Sequence, residues 1–423
     1  MTALHAVENG GPSLRGPSVA VSTAPGTAAT LGSSGIIVSR LAFGGWGIAA
    51  TDWGGVTDIA AARRAIACAL ELGITFFDTA PSYGEGSSES LLGLMVGGPD
   101  GAARRDRIVL ATKCGPRSDP STSLESSLRR LRTDYVDLLQ LHEPPREPDA
   151  LERLLERMHA LVDRGLVRAL GLCNATEREL TRAFGVVPLA SYQGPYNLFD
   201  RDAEHDALAF TRTHACAFLA YRPLASGLLT GKYAGTPSFA AADHRARLHW
   251  FRGREFARRQ TVLECLRTLA RERDLSLAQL ALAWLLAKPD VTAVLAGART
   301  AAQVEENAMA ARTALSSADM AAIDATVSDA YAPRALRRTV HVDEVRSADG
   351  EVSVRVRDDD TERTLTVGPR EAYVMRRLDG RTPYATIAAE WTGADGQRLL
   401  AAQVILLVDQ LAELGLLDDA PDA

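Results

Sequence analysis

Ile74-Thr75-Phe76-Phe77-Asp78-Thr79-Ala80-Pro81-Ser82-Tyr83-Gly84-Glu85-Gly86 is an apolar, β-prone run that stops at an aspartate and gives way to a short loop carrying a tyrosine. The pattern recurs twice downstream. Ile108-Val109-Leu110-Ala111-Thr112 leads into Lys113, and Tyr135-Val136-Asp137-Leu138-Leu139-Gln140-Leu141 leads into His142. Five more β-like runs complete the set: Leu41 to Gly47, Val167 to Asn174, Ala190 through Gln193 to Asn197, Ala217 to Tyr221, and Thr292 to Gly297. Apolar residues at helical spacing fill the intervals, over Ile59–Leu70, Ser123–Leu131, Asp149–Gly165, Thr176–Phe184, Arg258–Arg273 and Ser276–Ala287. Thr176 followed by Glu179 reads as a capping box. Strands alternating with helices predict an α/β fold with a closed parallel sheet, a (β/α)8 TIM barrel, whose polar strand ends form the working mouth. Leu31 to Leu41 reads as a hairpin capping the barrel bottom, with a Gly-Ser-Ser-Gly-type turn. Pro237 to Arg254, a longer connection with Asp243, His244, Arg245 and Trp250-Phe251, is placed to shape the mouth.

Asp78, Tyr83, Lys113 and His142 thus follow consecutive strands and converge on one mouth. A phenol, an ammonium, a carboxylate and an imidazole there make a proton donor for a carbonyl. When hydride reaches a carbonyl carbon, negative charge builds on the oxygen and must be met by a proton. A free phenol is a poor acid at neutral pH, and a neighbouring lysine is expected to lower its pKa. Asp78 would hold Lys113 charged, and His142 would orient the substrate oxygen or assist the proton. Singly, each residue has a plainer reading: Asp78-Thr79 as a helix cap, Tyr83 as a loop residue, His142 as a structural histidine. Their consecutive order favours the joint one. Lysine is also scarce, with Lys113, Lys232 and Lys288 the only three among 47 basic residues.

Composition narrows the class. A chain of 423 residues that is 46% hydrophobic can build two domains with sizeable cores. Its net charge of −6 argues against nucleic acid or an anionic membrane as partner. No apolar run approaches the roughly 18–20 residues that span a bilayer. Met1 to Thr30 is rich in Gly, Ala, Ser, Thr and Pro, lacks a secretory signal pattern, and is expected to be a disordered tail. Cys68, Cys114, Cys173, Cys216 and Cys265 are scattered without metal spacing, so no metal site is expected. The reading is a reduced, cytoplasmic protein.

Residues Leu31 to about Met309 resemble the aldo-keto reductases. The segments that carry the resemblance are Phe77 to Gly84, Ala111-Thr112-Lys113, Leu139-Gln140-Leu141-His142, Gly171-Leu172-Cys173-Asn174, Tyr196-Asn197-Leu198-Phe199, Pro223 to Tyr233 and Gly297-Ala298-Arg299. The resemblance implies a barrel that binds NADP(H) without a Rossmann fold, with Tyr83 as general acid/base and Asp78, Lys113 and His142 as its partners. It places Asn174 and Gln193 on the nicotinamide carboxamide and Tyr221 against the nicotinamide ring. Trp46, Arg222, Pro223 and Leu224 join the cofactor contacts. Gly227, Leu229 and Lys232 fall where the family covers the pyrophosphate. Gly297 is a further cofactor contact, Arg299 falls at the adenosine 2′-phosphate, and Gln303, Glu306 and Asn307 fall at the adenine. Three positions depart from the family pattern: Cys173 and Arg222 each stand in place of serine, and Ala296 in place of proline.

Composition shifts after about Ala332. Tyr331 to Ala423 holds 12 arginines and 17 acidic residues, a net of −5, and no lysine. Strands are expected at Val340–Val345, Glu351–Val356 and Arg363–Val367, with turns at Ala348-Asp349-Gly350 and Arg357–Asp360. Helices are expected at Glu371–Leu378, Pro383–Glu390 and Leu399–Leu414, the last ending at Gly415. Leu365 to Pro383 and Val404 to Leu417 resemble PqqD-like domains, which recognise leader peptides in ribosomally made, modified peptide pathways. That resemblance implies a groove formed by Leu365–Val367 or Val340–Val345 against Val404–Leu411. The same outline fits a winged helix, although the acidic charge opposes DNA, and an oligomerisation or lid domain is the other alternative. The division expected is a tail over 1–30, a barrel over 31–332 and a small β-plus-helical domain over 333–423. The function expected is NADPH-dependent reduction of a carbonyl in a modified peptide or another secondary-metabolite intermediate. A small-molecule ketone or keto-sugar reductase and a non-catalytic NADPH sensor are the alternatives. Oligomeric state is not legible.

Overall fold

The computed structural model describes residues 27–49, 53, 58–97, 105–147, 149–346, 352–391 and 398–418. Residues 1–26 of the expected tail and the Ala348–Gly350 turn lie outside the described residues.

The eight expected runs form eight strands: β3 (Leu41–Gly44), β4 (Phe76–Asp78), β5 (Val109–Cys114), β6 (Val136–Leu141), β7 (Val167–Cys173), β8 (Ser191–Pro195), β9 (Ala217–Tyr221) and β10 (Ala293–Gly297). They close into a barrel in which β10 pairs in parallel with both β9 and β3. Beneath it lies the hairpin of β1 (Ala28–Thr30) and β2 (Ile37–Ser39), paired Thr30 to Ile37. Its first strand precedes Leu31 rather than starting there, so the tail cannot run to residue 30. Leu31 belongs to the turn, its N–H donating to the Ile36 carbonyl at 2.8 Å while its side chain is buried under the barrel.

Side chains alternate along a strand with period two, so every second residue of a barrel strand points inward. Ala42, Phe76, Val109, Ala111, Leu138, Ala169, Ala217, Leu219, Ala293 and Leu295 form that inner core, plugged from below by Leu31, Ile36 and Val38 of the hairpin. Two residues further along the strands, the inward positions turn polar: Asp78 after Phe76, Lys113 after Ala111, Gln140 after Leu138. The larger core lies between the barrel and its outer helices and includes Ile66, Leu92, Leu155, Leu263 and Trp284. The capping box of Thr176 and Glu179 forms as expected, ahead of the helix Glu177–Phe184. The helix expected from Arg258 begins earlier, at Gly253, with Phe256 buried on its inner face. Ser87–Val96, Ala207–Thr213 and Ser317–Ala330 are helices that periodicity did not single out.

At the opposite end of the strands sits a buried ionic cluster. Asp137 Oδ2 lies 2.9 Å from Arg105 and Oδ1 lies 2.7 Å from Arg168. Asp137 also accepts the N–H of Leu110 at 2.9 Å.

The C-terminal region is an antiparallel sheet followed by helices. β11 (Val340–Arg346), β12 (Val352–Asp358) and β13 (Arg363–Val367) pair in order, Val342 opposite Val356 and Val356 opposite Leu365. The helices Pro369–Met375, Tyr384–Ala389 and Ala401–Glu413 follow. Val356, Val374, Met375, Ile387, Val404, Val408 and Leu411 make a separate core. This region docks on the barrel. The Tyr384 hydroxyl donates to the Ala332 carbonyl at 3.2 Å, Arg398 pairs with Asp206 at 3.0 Å, and Asp409 holds Arg258. No described helix is long and apolar enough to cross a membrane.

Candidate active site

The inward polar positions at the barrel's C-terminal end bring Asp78, Lys113 and Tyr83 together. Lys113, 1% exposed, donates to Asp78 Oδ1 at 2.6 Å, to the Thr79 carbonyl at 2.9 Å and to the Tyr83 hydroxyl at 3.2 Å. Three donors meet three acceptors, so the ammonium is fully engaged. The second oxygen of Asp78 accepts the side-chain amides of Gln140 at 2.9 Å and Gln193 at 3.0 Å. Gln193 also donates to Gln140 Oε1 at 3.2 Å. His142 faces Tyr83 edge-on, ring centroids 5.9 Å apart.

Tyr83 is carried by a tight loop. Gly84 adopts φ +57°, and a Cβ there would come within 2.2 Å of the Ala49 carbonyl, so the loop that aims the phenol requires glycine at this position.

Electrostatics separates the four groups. Burial is the largest influence on Tyr83 and pushes the phenol up to about 12; Lys113 draws it down, while Asp78 raises it. The expected lowering by Lys113 is therefore present but outweighed by desolvation, and the phenol is protonated across neutral pH. For Lys113 burial works against the charge, but Asp78 and then Tyr83 outweigh it, and the ammonium is held above its usual range. His142 is pulled down to about 4, by burial first and Lys113 second, and is neutral at pH 7.

Tyr83 and Asp78 open on a cavity of about 410 Å³. Of the expected cofactor contacts, Trp46, Gln193, Tyr221, Arg222, Pro223, Leu224, Gly227, Lys232, Gly297, Arg299, Gln303, Glu306 and Asn307 line it. Two do not. Leu229 is 1% exposed, its side chain turned into the core. Asn174 stands beside the cavity, donating to the His142 carbonyl at 3.0 Å and accepting from the Tyr221 hydroxyl at 2.8 Å. Cys173 is buried behind the wall, its Sγ 3.6 Å from Gln140 Oε1. Arg222 lies over the Tyr221 ring at 5.0 Å and donates to its hydroxyl at 3.2 Å.

Asn174, Arg222, Ala225 and Ser226 all hold positive φ, between 46° and 56°. Non-glycine residues in this region cost on the order of 1–3 kcal/mol each and concentrate at functional sites. Lys232 and Arg299 stand in no salt bridge among the described residues. The Lys232 pKa is lowered, by burial first and then by Arg245 and Arg299. Cations crowded around one space suit a bound polyanion. Gly227, at φ +90°, leaves room beside Lys232: a Cβ there would stand 3.2 Å from Nζ. This donor set fits a nicotinamide dinucleotide carrying an additional phosphate.

Gln140 and Trp53 were given no role by the sequence, and Arg245 was expected only as part of the connection that shapes the mouth. Gln140 was legible in principle, because it lies two residues beyond the inward Leu138. Trp53 and Arg245 line the cavity from long connections with no periodicity to expose them. Arg245 bridges the two connections, donating to the Tyr233 hydroxyl at 2.9 Å and the Trp53 carbonyl at 3.2 Å.

Fold and site together define a barrel oxidoreductase, and comparison with known proteins gives the family. The model of the aldo/keto reductase family matches residues 40–328. The aldo-keto reductase YhdN of Bacillus subtilis is 34% identical over 322 residues, covering 72% of this chain and 96% of its own. The solved glycerol dehydrogenase of Gluconobacter oxydans superimposes with a TM-score of 0.65 at 30% identity, covering 72% of this chain and 96% of that one. An aldo-keto reductase from Klebsiella pneumoniae, solved with NADPH, gives 0.56 at 26% identity over 70% of this chain and 94% of that one. The chain belongs to the aldo/keto reductase family. The family match ends before the C-terminal sheet and its helices.

Proposed function

We propose that the protein reduces a carbonyl to an alcohol with NADPH, Tyr83 giving the proton to oxygen. The observation that carries this is Lys113 Nζ, shared between the Asp78 carboxylate and the Tyr83 hydroxyl at the wall of the cavity. Bound in the cavity, the reduced nicotinamide supplies the hydride that reaches the carbonyl carbon. Tyr83, protonated at neutral pH, donates to the oxygen as its charge develops. Lys113 steadies the phenolate that remains and is itself held by Asp78. Neutral His142, edge-on to Tyr83, orients the carbonyl oxygen. Tyr221, Asn174 and Gln193 hold the nicotinamide. Gly227 and Lys232, with the backbone at Leu229, hold the pyrophosphate, and Arg299 takes the 2′-phosphate as a charge-assisted pair. Gln303, Glu306 and Asn307 flank the adenine.

The C-terminal region, residues 333–423, serves in this reading as a peptide-recognition unit of PqqD-like type that presents a modified peptide to the barrel. Its support is the open edge of β13, which pairs with β12 alone among the described residues, and the exposed Leu406 on the helix Ala401–Glu413. An extended peptide adds to such an edge. A small-molecule carbonyl is the second reading, favoured by a family match that spans the barrel and ends before the C-terminal region.

The test is NADPH consumption at 340 nm against ketones, aldehydes and peptides encoded beside the gene, with anisotropy of the labelled peptides on the full-length protein. Turnover that requires a bound peptide supports the first reading. Turnover of a free ketone without peptide binding moves the assignment to the second, and no turnover of any carbonyl overturns both.

A further inference from the structure

Asp409 lies on the helix Ala401–Glu413 of the C-terminal region and is buried, 8% exposed. Both its oxygens face the guanidinium of Arg258 on the barrel helix Gly253–Arg271, one at 3.3 Å and the other closer. Arg258 also donates to Glu255 Oε2 at 2.6 Å, and the other oxygen of Glu255 holds Arg259 at 2.5 Å and the Tyr331 hydroxyl at 2.9 Å. One carboxylate on the barrel side therefore serves two guanidinium groups, and Asp409 supplies the second negative charge. Arg259 is 2% exposed and reaches the Trp250 ring at 5.1 Å. Arg222 reaches the same ring at 5.8 Å. The Trp250 indole N–H is buried and has no hydrogen-bond partner among the described residues, and the two cations flank its ring. Arg222 then lies over Tyr221 and bonds its hydroxyl, which bonds Asn174.

We propose that Asp409 is a positioning residue for the cofactor platform, acting through Arg258, Glu255 and Arg259 on Trp250 and Arg222, so that the C-terminal region completes the reductase site. The inference rests on the reading of Tyr221 and Asn174 as the nicotinamide platform. Arg222 holds φ 52°, a conformation that persists only where its surroundings over-determine it. Its carbonyl accepts from Asn197 at 3.1 Å, and its side chain is set by Tyr221 and Trp250. Arg222 and Arg259 also face the carboxyl of Asp200, which burial pushes up. When Asp409 loses its charge, Arg258 competes for Glu255, Arg259 loosens from Trp250, and Arg222 loses the ring on one side. Glu255, Arg259 and Asp409 are buried and Arg258 is partly so, and an unbalanced partner matters most among buried charges.

The experiment measures NADPH dissociation constants by fluorescence on the full-length protein. Asp409→Asn is expected to weaken binding roughly threefold to tenfold, the range for residues that modulate coupling at a distance, and Asp409→Glu to restore it. Glu413→Gln is the control. It removes the same charge from the same helix, but its partner Arg254 is exposed, 3.7 Å away and outside the relay. That variant is expected to bind as the wild type does. Added to Trp250→Leu, Asp409→Asn should cost nothing further, since both act through one chain. If Asp409→Asn does not fold, Arg258→Lys keeps the charge and loses the fork, and is expected to weaken binding by a smaller factor. Unchanged affinity in Asp409→Asn, or in Arg258→Lys where that variant stands in for it, overturns the inference. An equal loss in Glu413→Gln does the same. A wild-type protein that binds no NADPH would instead overturn the functional reading beneath it.

Discussion

At the N-terminal end of the barrel strands Asp137 divides its oxygens between Arg105 and Arg168, at 2.9 and 2.7 Å. At the C-terminal end Asp78 divides its own between Lys113 and the amides of Gln140 and Gln193. Both aspartates are buried, Asp78 on the inward face of β4 and Asp137 next to the inward Leu138 on β6. They differ in where the cation's remaining donors go. Arg105 spends its fork on Thr133 Oγ1 and the carbonyls of Tyr135 and Ile108, all structural. Lys113 spends its last donor on a phenol that opens on a cavity. A planar guanidinium suits a saturated structural cluster, whereas a compact ammonium can share itself with a group that must change charge. The same buried pair thus braces the fold at one end and is poised for chemistry at the other.

The sharpest break in that comparison is Tyr83→Phe. It removes the proton donor and nothing from the floor, so carbonyl-dependent NADPH oxidation should fall roughly 10²- to 10⁴-fold. Affinity for NADPH should stay within about twofold, the same measurement separating chemistry from binding. Comparable turnover in the variant would mean that Tyr83 is not the donor.

Lys113→Met comes next. Lys113 lowers the Tyr83 pKa against a larger effect of burial. Without it the phenol rises further above about 12, remains protonated to higher pH and gives up its proton less readily. Reduction should slow on the order of 10²-fold, and the alkaline limb of the pH–rate profile should move upward. His142 loses the Lys113 charge that helps hold it down to about 4, so in the variant it rises, which alters the acid side of the profile and not the alkaline limb. A profile that keeps its wild-type alkaline limb would take Lys113 out of the proton transfer.

Asp137→Asn tests the floor. Arg105 and Arg168 would be left buried or half-buried with their shared counter-charge gone, and breaking such a pair costs about 3–5 kcal/mol. Urea unfolding should show that loss, while kcat/KM of the folded fraction should stay within about twofold. A variant that unfolds normally but turns over poorly would show the floor to be part of the catalytic unit after all.

Both ends are written in the sequence, with unequal clarity. The strands were legible because β-prone runs stop at polar residues, and the tetrad because those residues are chemically uncommon together. Gln140 shares the inward face with Leu138 but reads as an ordinary strand residue, so its bond to Asp78 surfaces only when the barrel closes. Asp137 sits inside an apolar run whose partners, Arg105 and Arg168, lie on neighbouring segments; the pairing is a property of register. The hairpin began earlier than expected because Ala28-Ala29-Thr30 carries little β signal of its own and is held by pairing with Ile37–Ser39. Trp53 and Arg245 meet from connections without periodicity, and Asp409 meets Arg258 between two helices that were each legible while their meeting, 151 residues apart, is encoded by no local pattern.

The smallest expected effect sharpens the comparison within the mouth itself. Cys173 stands behind Gln140, its thiol a weak donor at 3.6 Å from Oε1, and burial pushes that thiol up so that it stays neutral. In Cys173→Ser a hydroxyl could bond the same oxygen more strongly, but Gln140 already accepts from Gln193 and donates to Asp78. A net hydrogen bond is worth about 0.5–1.5 kcal/mol, and here it strengthens one branch of a network that is already closed. The change in kcat/KM should stay below about threefold, with any gain appearing first as a higher midpoint of urea unfolding. A tenfold change in rate would mean that the Gln140 amide does more than hold Asp78, and that the polar layer above the inner core acts on Tyr83 as one unit.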